Sequence, residues 1–238
     1  MMSEQLAYFI GSIFLFLIWF LIWLRLTSKE SRNEMVKVSL ATSLLGLTEP
    51  IFVPEYWNPP TLFNLAQKIG FDIESFIFAF AVGGIAVSVY EAFNKVDHKK
   101  LTAHEIYHPR HKFHLLALLS SPASFIFLYT LTSLNPIYST ILSLLIGALA
   151  TFYCRPDLIR KMIASGIIFL IIYFLFFAIF NILFLGYIKD IWNLQALSGI
   201  LLLGIPFEEL AFAASLGTMW SSVYEHVLWL KIRKLQRS

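Results

Sequence analysis

Two adjacent glutamates follow a proline in the run Ile205-Pro206-Phe207-Glu208-Glu209, with the apolar stretch Leu197–Ile205 in front of them. Two more acids sit in similarly apolar company: Glu74, and Glu49 followed by Pro50. Carboxylates are expensive at membrane depth and tend to mark function there. Proline suits the first position of a helix, and acids suit its first turn because the helix dipole favours negative charge. A capping role near lipid headgroups is therefore the plain reading of Glu208 and Glu209. The chemical reading is stronger. The preceding apolar run carries both acids below the surface, where desolvation favours a neutral carboxyl group. A protonated acid in a dry, apolar pocket is what acid catalysis on an alkene needs. Two neighbouring carboxyls, one protonated and one ionised, would supply donor and acceptor.

Trp57-Asn58 and Trp192-Asn193 precede the acid-bearing segments. These tryptophans fit an interfacial belt, or a site in which an aromatic face stabilises a cation. Trp220, about three turns beyond Glu209, is most simply packing. Glu49, Trp57, Trp192, Asn58, Asn193 and Trp220 make up the candidate substrate contacts, beside Glu208, Glu209 and Glu74 as candidate catalysts. Glu91 and Glu225 read as interfacial or ion-paired, beside Lys95 or His226.

The elements that must position these groups are membrane helices. Hydrophobic residues make up 58% of the 238 positions and charged ones 14%, against roughly a quarter charged in soluble domains. Apolar blocks long enough to span a bilayer fall at about 7–26, 36–53, 73–93, 113–132, 137–153, 162–185 and 202–228. The first has no basic region before it and no small-residue cleavage site after it, so it reads as a retained helix. Of the 18 Lys and Arg residues, 16 fall on one side of this arrangement, and only Lys68 and Lys189 on the other. Basic loops face the cytoplasm, so an outward N-terminus and a cytoplasmic C-terminus are expected. The net charge of +3 follows from that bias rather than from nucleic-acid binding.

An internal repeat organises the spans. Glu74–Glu91 (ESFIFAFAVGGIAVSVYE) and Glu208–Glu225 (EELAFAASLGTMWSSVYE) agree at eight of eighteen ungapped positions, including Gly83/Gly217 and a closing S-V-Y-E. Upstream, Glu55-Tyr56-Trp57-Asn58 aligns with Asp190-Ile191-Trp192-Asn193. The fold expected is all-α and polytopic, with about seven transmembrane helices. Two parallel three-helix repeats are joined by a linker helix and related by an axis along the membrane normal. Residues 1–93 form the first repeat, 94–136 the loop and linker, and 137–238 the second repeat.

The order of a Trp loop, an apolar run and a P-x-E-E segment opening a helix resembles the integral-membrane lycopene cyclases, both the two-subunit bacterial type and the fused archaeal and fungal type. The resemblance covers about residues 36–93 and 171–228. It implies a carotenoid cyclase of about three helices per half, with Pro206-Phe207-Glu208-Glu209 holding the catalytic acid. The first half departs from the motif, reading Asp72-Ile73-Glu74-Ser75. The chemistry implied is redox-neutral. An acid protonates C2 of the terminal alkene, the 5,6 double bond attacks the cation at C1, and a base removes a proton. The implied partners are a lipophilic carotenoid and membrane lipid, with a second copy of the chain or other carotenoid-pathway enzymes left open.

No G-x-G-x-x-G is present, so no dinucleotide fold is supported and no cofactor is implied. His104, His108, His111 and His114 in HEIYHPRHKFH suggest a metal box, but a solvated basic loop is the preferred reading and no metal is expected. Cys154, the single cysteine, allows no internal disulfide and lacks paired zinc spacing. The last span has no lysine for a retinal Schiff base, and the four aspartates are too scattered for a prenyltransferase's magnesium motif. A carotenoid hydratase using the same cation and a proton-coupled transporter are the remaining alternatives.

Overall fold

The computed structural model describes residues 2–234, and the side chains of residues 5–233. The chain is an all-α polytopic membrane protein. Six helical segments among the described residues are long and apolar enough to cross a bilayer. Helix α1 is Met2–Arg25. Helix α2, Lys29–Ser43, begins with Ser28 accepting the Ser31 N–H at 3.0 Å and continues through 3-10 and α turns to Phe52. Helix α3 is Ile73–Phe93, started by Asp72, whose Oδ1 accepts the Ser75 N–H at 2.6 Å. Helices α4 (His114–Leu131), α5 (Pro136–Cys154) and α6 (Ile159–Leu183) follow.

The seventh expected span differs. It begins at Phe207, because Leu201–Leu202 and Ile205–Pro206 form a hairpin that turns through Leu203 and Gly204 at positive φ. It also breaks, into α7 (Phe207–Trp220) and α8 (Val223–Leu228). The hydroxyls of Ser221 and Ser222 donate to the carbonyls of Thr218 at 3.0 Å and Met219 at 2.9 Å. Such local bonds compete with the helical ladder. The repeat shares its S-V-Y-E ending across both halves, yet α3 passes straight through it.

Helix α3 packs on α1 and α2, and α7 packs on α5 and α6. Small residues set the closest approaches, as in membrane bundles generally. A Cβ on Gly83 would lie 2.3 Å from Thr42 Oγ1, and one on Gly217 would lie 2.8 Å from Phe169 Cβ and 3.1 Å from Gly166 Cα. The stretch Ala81–Glu91 of α3 is buried throughout, whereas α4 buries only Ala117 and Ser121 and rides on α5. Leucines and isoleucines such as Leu17, Leu21, Leu149 and Ile182 project outward, as lipid-facing side chains do.

Backbone pairing joins the chain's two halves at both ends. At one end the Trp-Asn loops meet in an antiparallel bridge between Trp57 and Trp192. Asn58 N–H donates to the Ile191 carbonyl and Asn193 N–H to the Tyr56 carbonyl, each at 2.9 Å. At the other, basic end, strand β1 (Val96–Lys100) pairs antiparallel with β2 (Leu230–Lys234), with His98 opposite Ile232. These strands, absent from the helical expectation, lie just beyond the two S-V-Y-E segments. Arg237, counted above among the basic flanks, lies outside the described residues.

Candidate active site

A cavity of about 690 Å³ runs through the bundle. Its walls are overwhelmingly apolar and aromatic, including Phe78, Phe125, Phe176, Phe177 and Phe212. Two carboxylates face into it, Glu209 and Glu49. Glu209 is buried in the first turn of α7. Tyr56 OH donates to its Oε1, as does Trp192 Nε1 at 2.9 Å, and Tyr173 OH donates to Oε2 at 2.9 Å. These three donors come from the first Trp-Asn loop, the second Trp-Asn loop and α6. The bridge between the loops is therefore what brings Tyr56 to an acid 153 residues away.

Glu49 is buried at the end of the second span, beside Ser75 and Trp57, and its Oε1 has no hydrogen-bond partner. Trp57 packs against Trp192 with ring centroids 5.3 Å apart and meets Tyr8 edge-on at 5.1 Å. Tyr8 shares a 2.9 Å hydrogen bond with Ser75. In the repeat alignment Ser75 stands where the second half has Glu209. The site is thus asymmetric, with one half contributing a tethered carboxylate and the other a hydroxyl beside Glu49. Asp72, outside the span, has its carboxyl raised by burial, which the hydrogen bonds from Ser75 oppose.

The structure does not bring Glu208 and Glu74 to the cavity. Glu208 Oε1 accepts Tyr138 OH at 2.6 Å and the Ser198 N–H at 2.8 Å, fixing the loop before α7. Glu74 Oε1 accepts the Leu62 N–H at 2.7 Å, fixing the loop before α3. These aligned residues do aligned work. Trp57, Trp192 and Trp220 all line the cavity, and Trp220 also donates to Thr42 Oγ1 at 3.1 Å. Asn58 and Asn193 are exposed and serve the bridge through their backbones.

The residues that sequence reasoning passed over are Tyr56 and Tyr173. Tyr56 lies inside the quoted repeat segment, but nothing along the chain says where its hydroxyl points. Tyr173 is a polar-tipped aromatic in the middle of an apolar span, a signal in hindsight.

The basic end departs further from expectation. Lys161, counted among the basic residues of this side, is buried, with Nζ 3.2 Å from Glu34, 2.8 Å from Glu91 and 2.5 Å from Glu225. Glu91 therefore pairs with Lys161 and not with Lys95, which is exposed. His98 Nε2 approaches the same three acids at 3.2–3.3 Å. Nor is the histidine loop uniformly solvated. His104 and His108 are exposed, but His114 stacks on Trp229 with ring centroids 3.7 Å apart.

Residues 135–227, spanning α5 to α8 almost entirely, match the family model described as lycopene cyclase. No curated protein and no solved structure matches the chain. The matched segment, less than half of the chain, holds the Trp192 loop, Tyr173 and the P-x-E-E acids, and over those residues the chain is similar to the lycopene cyclase family.

Proposed function

We propose that the chain closes terminal rings on lycopene by acid-initiated, redox-neutral chemistry in the bundle cavity. One observation carries the reading: two buried carboxyl groups, Glu209 and Glu49, face a single apolar, aromatic-lined cavity. A linear hydrocarbon polyene suits such walls.

The two acids have different surroundings, and paired carboxyls in unlike environments divide donor and acceptor roles. Glu209 is satisfied by three donors, as an anion is, which suits it to hold developing positive charge and to receive a proton. Glu49 keeps Oε1 free, which suits it to deliver one. A proton added at C2 leaves a cation at C1. The 5,6 double bond attacks C1, forming the ring bond and moving the charge to C5. Loss of a proton from a neighbouring carbon restores a double bond. One proton enters and one leaves, so neither oxidant nor reductant is consumed. The rings of Trp57, Trp192 and Tyr8 cluster beside the acids, where aromatic faces favour a passing cation. Apolar walls keep water from trapping that cation, the outcome a hydratase would need.

The reciprocal hydrogen bonds of the Trp-Asn bridge and the β1–β2 pair support two parallel halves about one axis. The distribution of Lys and Arg supports an outward N-terminus, with the Lys68 and Lys189 loops outside. The test is expression in cells that accumulate lycopene, followed by pigment chromatography. Cyclic product without added flavin or nicotinamide supports the proposal. Persisting lycopene despite folded, inserted protein sinks it, and hydroxylated acyclic pigment would make the chain a hydratase.

A further inference from the structure

At the basic end of the cavity, three side chains from distant parts of the chain converge. His114 opens α4, Cys154 closes α5 and His226 lies in α8. One donor atom from each lies within 4.8 Å of the others. We propose that His114, Cys154 and His226 form a binding site for a zinc-class divalent cation.

The geometry fits such an ion. His114 Nδ1 and Cys154 Sγ are 3.7 Å apart. Zinc bonds of about 2.3 Å to sulfur and about 2.0–2.1 Å to nitrogen, set at tetrahedral angles, put the two donors about 3.5 Å apart. His226 is 2% exposed, and its Nε2 is buried without a hydrogen-bond partner. Its other nitrogen, Nδ1, faces Thr151 Oγ1 at 3.5 Å. A histidine ligand commonly donates its second ring N–H to an oxygen, which fixes the ring and leaves the opposite lone pair for the metal. A buried polar atom without a partner is uncommon, and a metal ion would give this one a partner. The His114 ring is held by its stack on Trp229 and meets His226 edge-on at 4.6 Å. Neither imidazole is free to swing away.

Cysteine and histidine together select zinc-like ions over magnesium or calcium, which take oxygen. On binding, the Cys154 thiol gives its proton to solvent and the thiolate ligates. Three protein ligands leave a fourth position. His226 and Thr151 both line the large cavity, so that position opens toward it. The ion would also tie helix α4 to α8, a contact that packing alone makes weakly. No motif betrays the site, since its ligands are scattered along the chain and only His114 belongs to the histidine-rich loop.

The test uses full-length protein with a tag free of histidine, purified in detergent without chelator. Elemental analysis of the purified chain is expected to find about one zinc-class ion per chain. Cys154→Ser, nearly the same shape, loses it, as does His226→Ala. After removal of bound metal, Co2+ added to the wild type gives a thiolate-to-cobalt charge-transfer band that Cys154→Ser lacks. Gel filtration of each variant separates loss of a ligand from loss of the fold. A wild-type chain with neither ion nor cobalt band overturns the proposal, and so does an undiminished band in folded Cys154→Ser.

Discussion

The Lys161 ammonium lies 2.8 Å from Glu91 Oε1, a cation of α6 against an acid of α3, with both side chains buried. Glu34 and Glu225 close around the same nitrogen. Removing one partner of a buried ion pair leaves charge without compensation and costs about 3–5 kcal/mol. Lys161→Met is therefore expected to lower the melting temperature in detergent sharply, with Lys161→Arg falling less. A Lys161→Met protein that melts like the wild type would mean that the cluster carries no stability.

His98 makes the same cluster sensitive to pH. Burial pulls its imidazolium down, but the hydrogen bonds it donates to Glu225, Glu34 and Glu91 outweigh this and push it up to about 12. A group raised on folding stabilises fully below its unfolded value, about 6.5, and its contribution is lost as pH climbs through the folded one. Melting temperature is expected to decline from pH 7 toward pH 11. In His98→Gln the decline becomes shallower, and equal slopes in both proteins would refute the assignment.

For ring formation, Glu209→Gln and Glu49→Gln are expected to cut cyclisation by about 10²–10⁴-fold, the usual scale of a lost proton donor or acceptor. Glu208→Gln and Glu74→Gln leave the cavity intact and loosen a loop, so substantial activity is expected to remain. Pigment chromatography at matched protein levels ranks the four. The ranking fails if Glu208→Gln is dead while Glu209→Gln is active.

Tyr173→Phe removes one hydroxyl from Glu209 and leaves the ring in place. A hydrogen bond to a charged group contributes about 1.5–3 kcal/mol, so a rate loss of about 10–100-fold is expected, with any loss of stability no larger than that contribution. Tyr56→Phe is expected to match it. A full-speed double variant would show that Glu209 needs neither.

Gly217→Ala places a methyl group against Phe169 Cβ and against the Gly166 and Ser165 backbone. Helix α6 cannot yield there without shifting as a whole, and overpacking of this kind costs about 1–3 kcal/mol. Thermal unfolding in detergent is expected to drop accordingly. An unaffected Gly217→Ala protein would mean that the α6–α7 contact is looser than its distances.

Much of the bundle is legible along the chain, because hydropathy depends on composition over a window. Span 73–93 coincides with α3, and most other boundaries fall within a few residues. The break at Ser221–Ser222 is not, since α3 crosses the same S-V-Y-E pattern unbroken. The site was half legible. A pair of glutamates one residue apart looks alike in sequence, yet a helix turns about 100° between them, so Glu209 faces the cavity and Glu208 the loop. Lys161 looked like a flank because counting charges by side says nothing of which way a side chain turns.

Strands β1 and β2 carry one last consequence. Each follows one half of the chain, and each finds its backbone partner only in the other half. A single half made alone would end in an open strand edge and a Trp-Asn loop with nothing to bridge. Open edges recruit whatever strand is near. Two half-length polypeptides would thus have reason to associate, and joining them through α4 converts an encounter between molecules into folding within one.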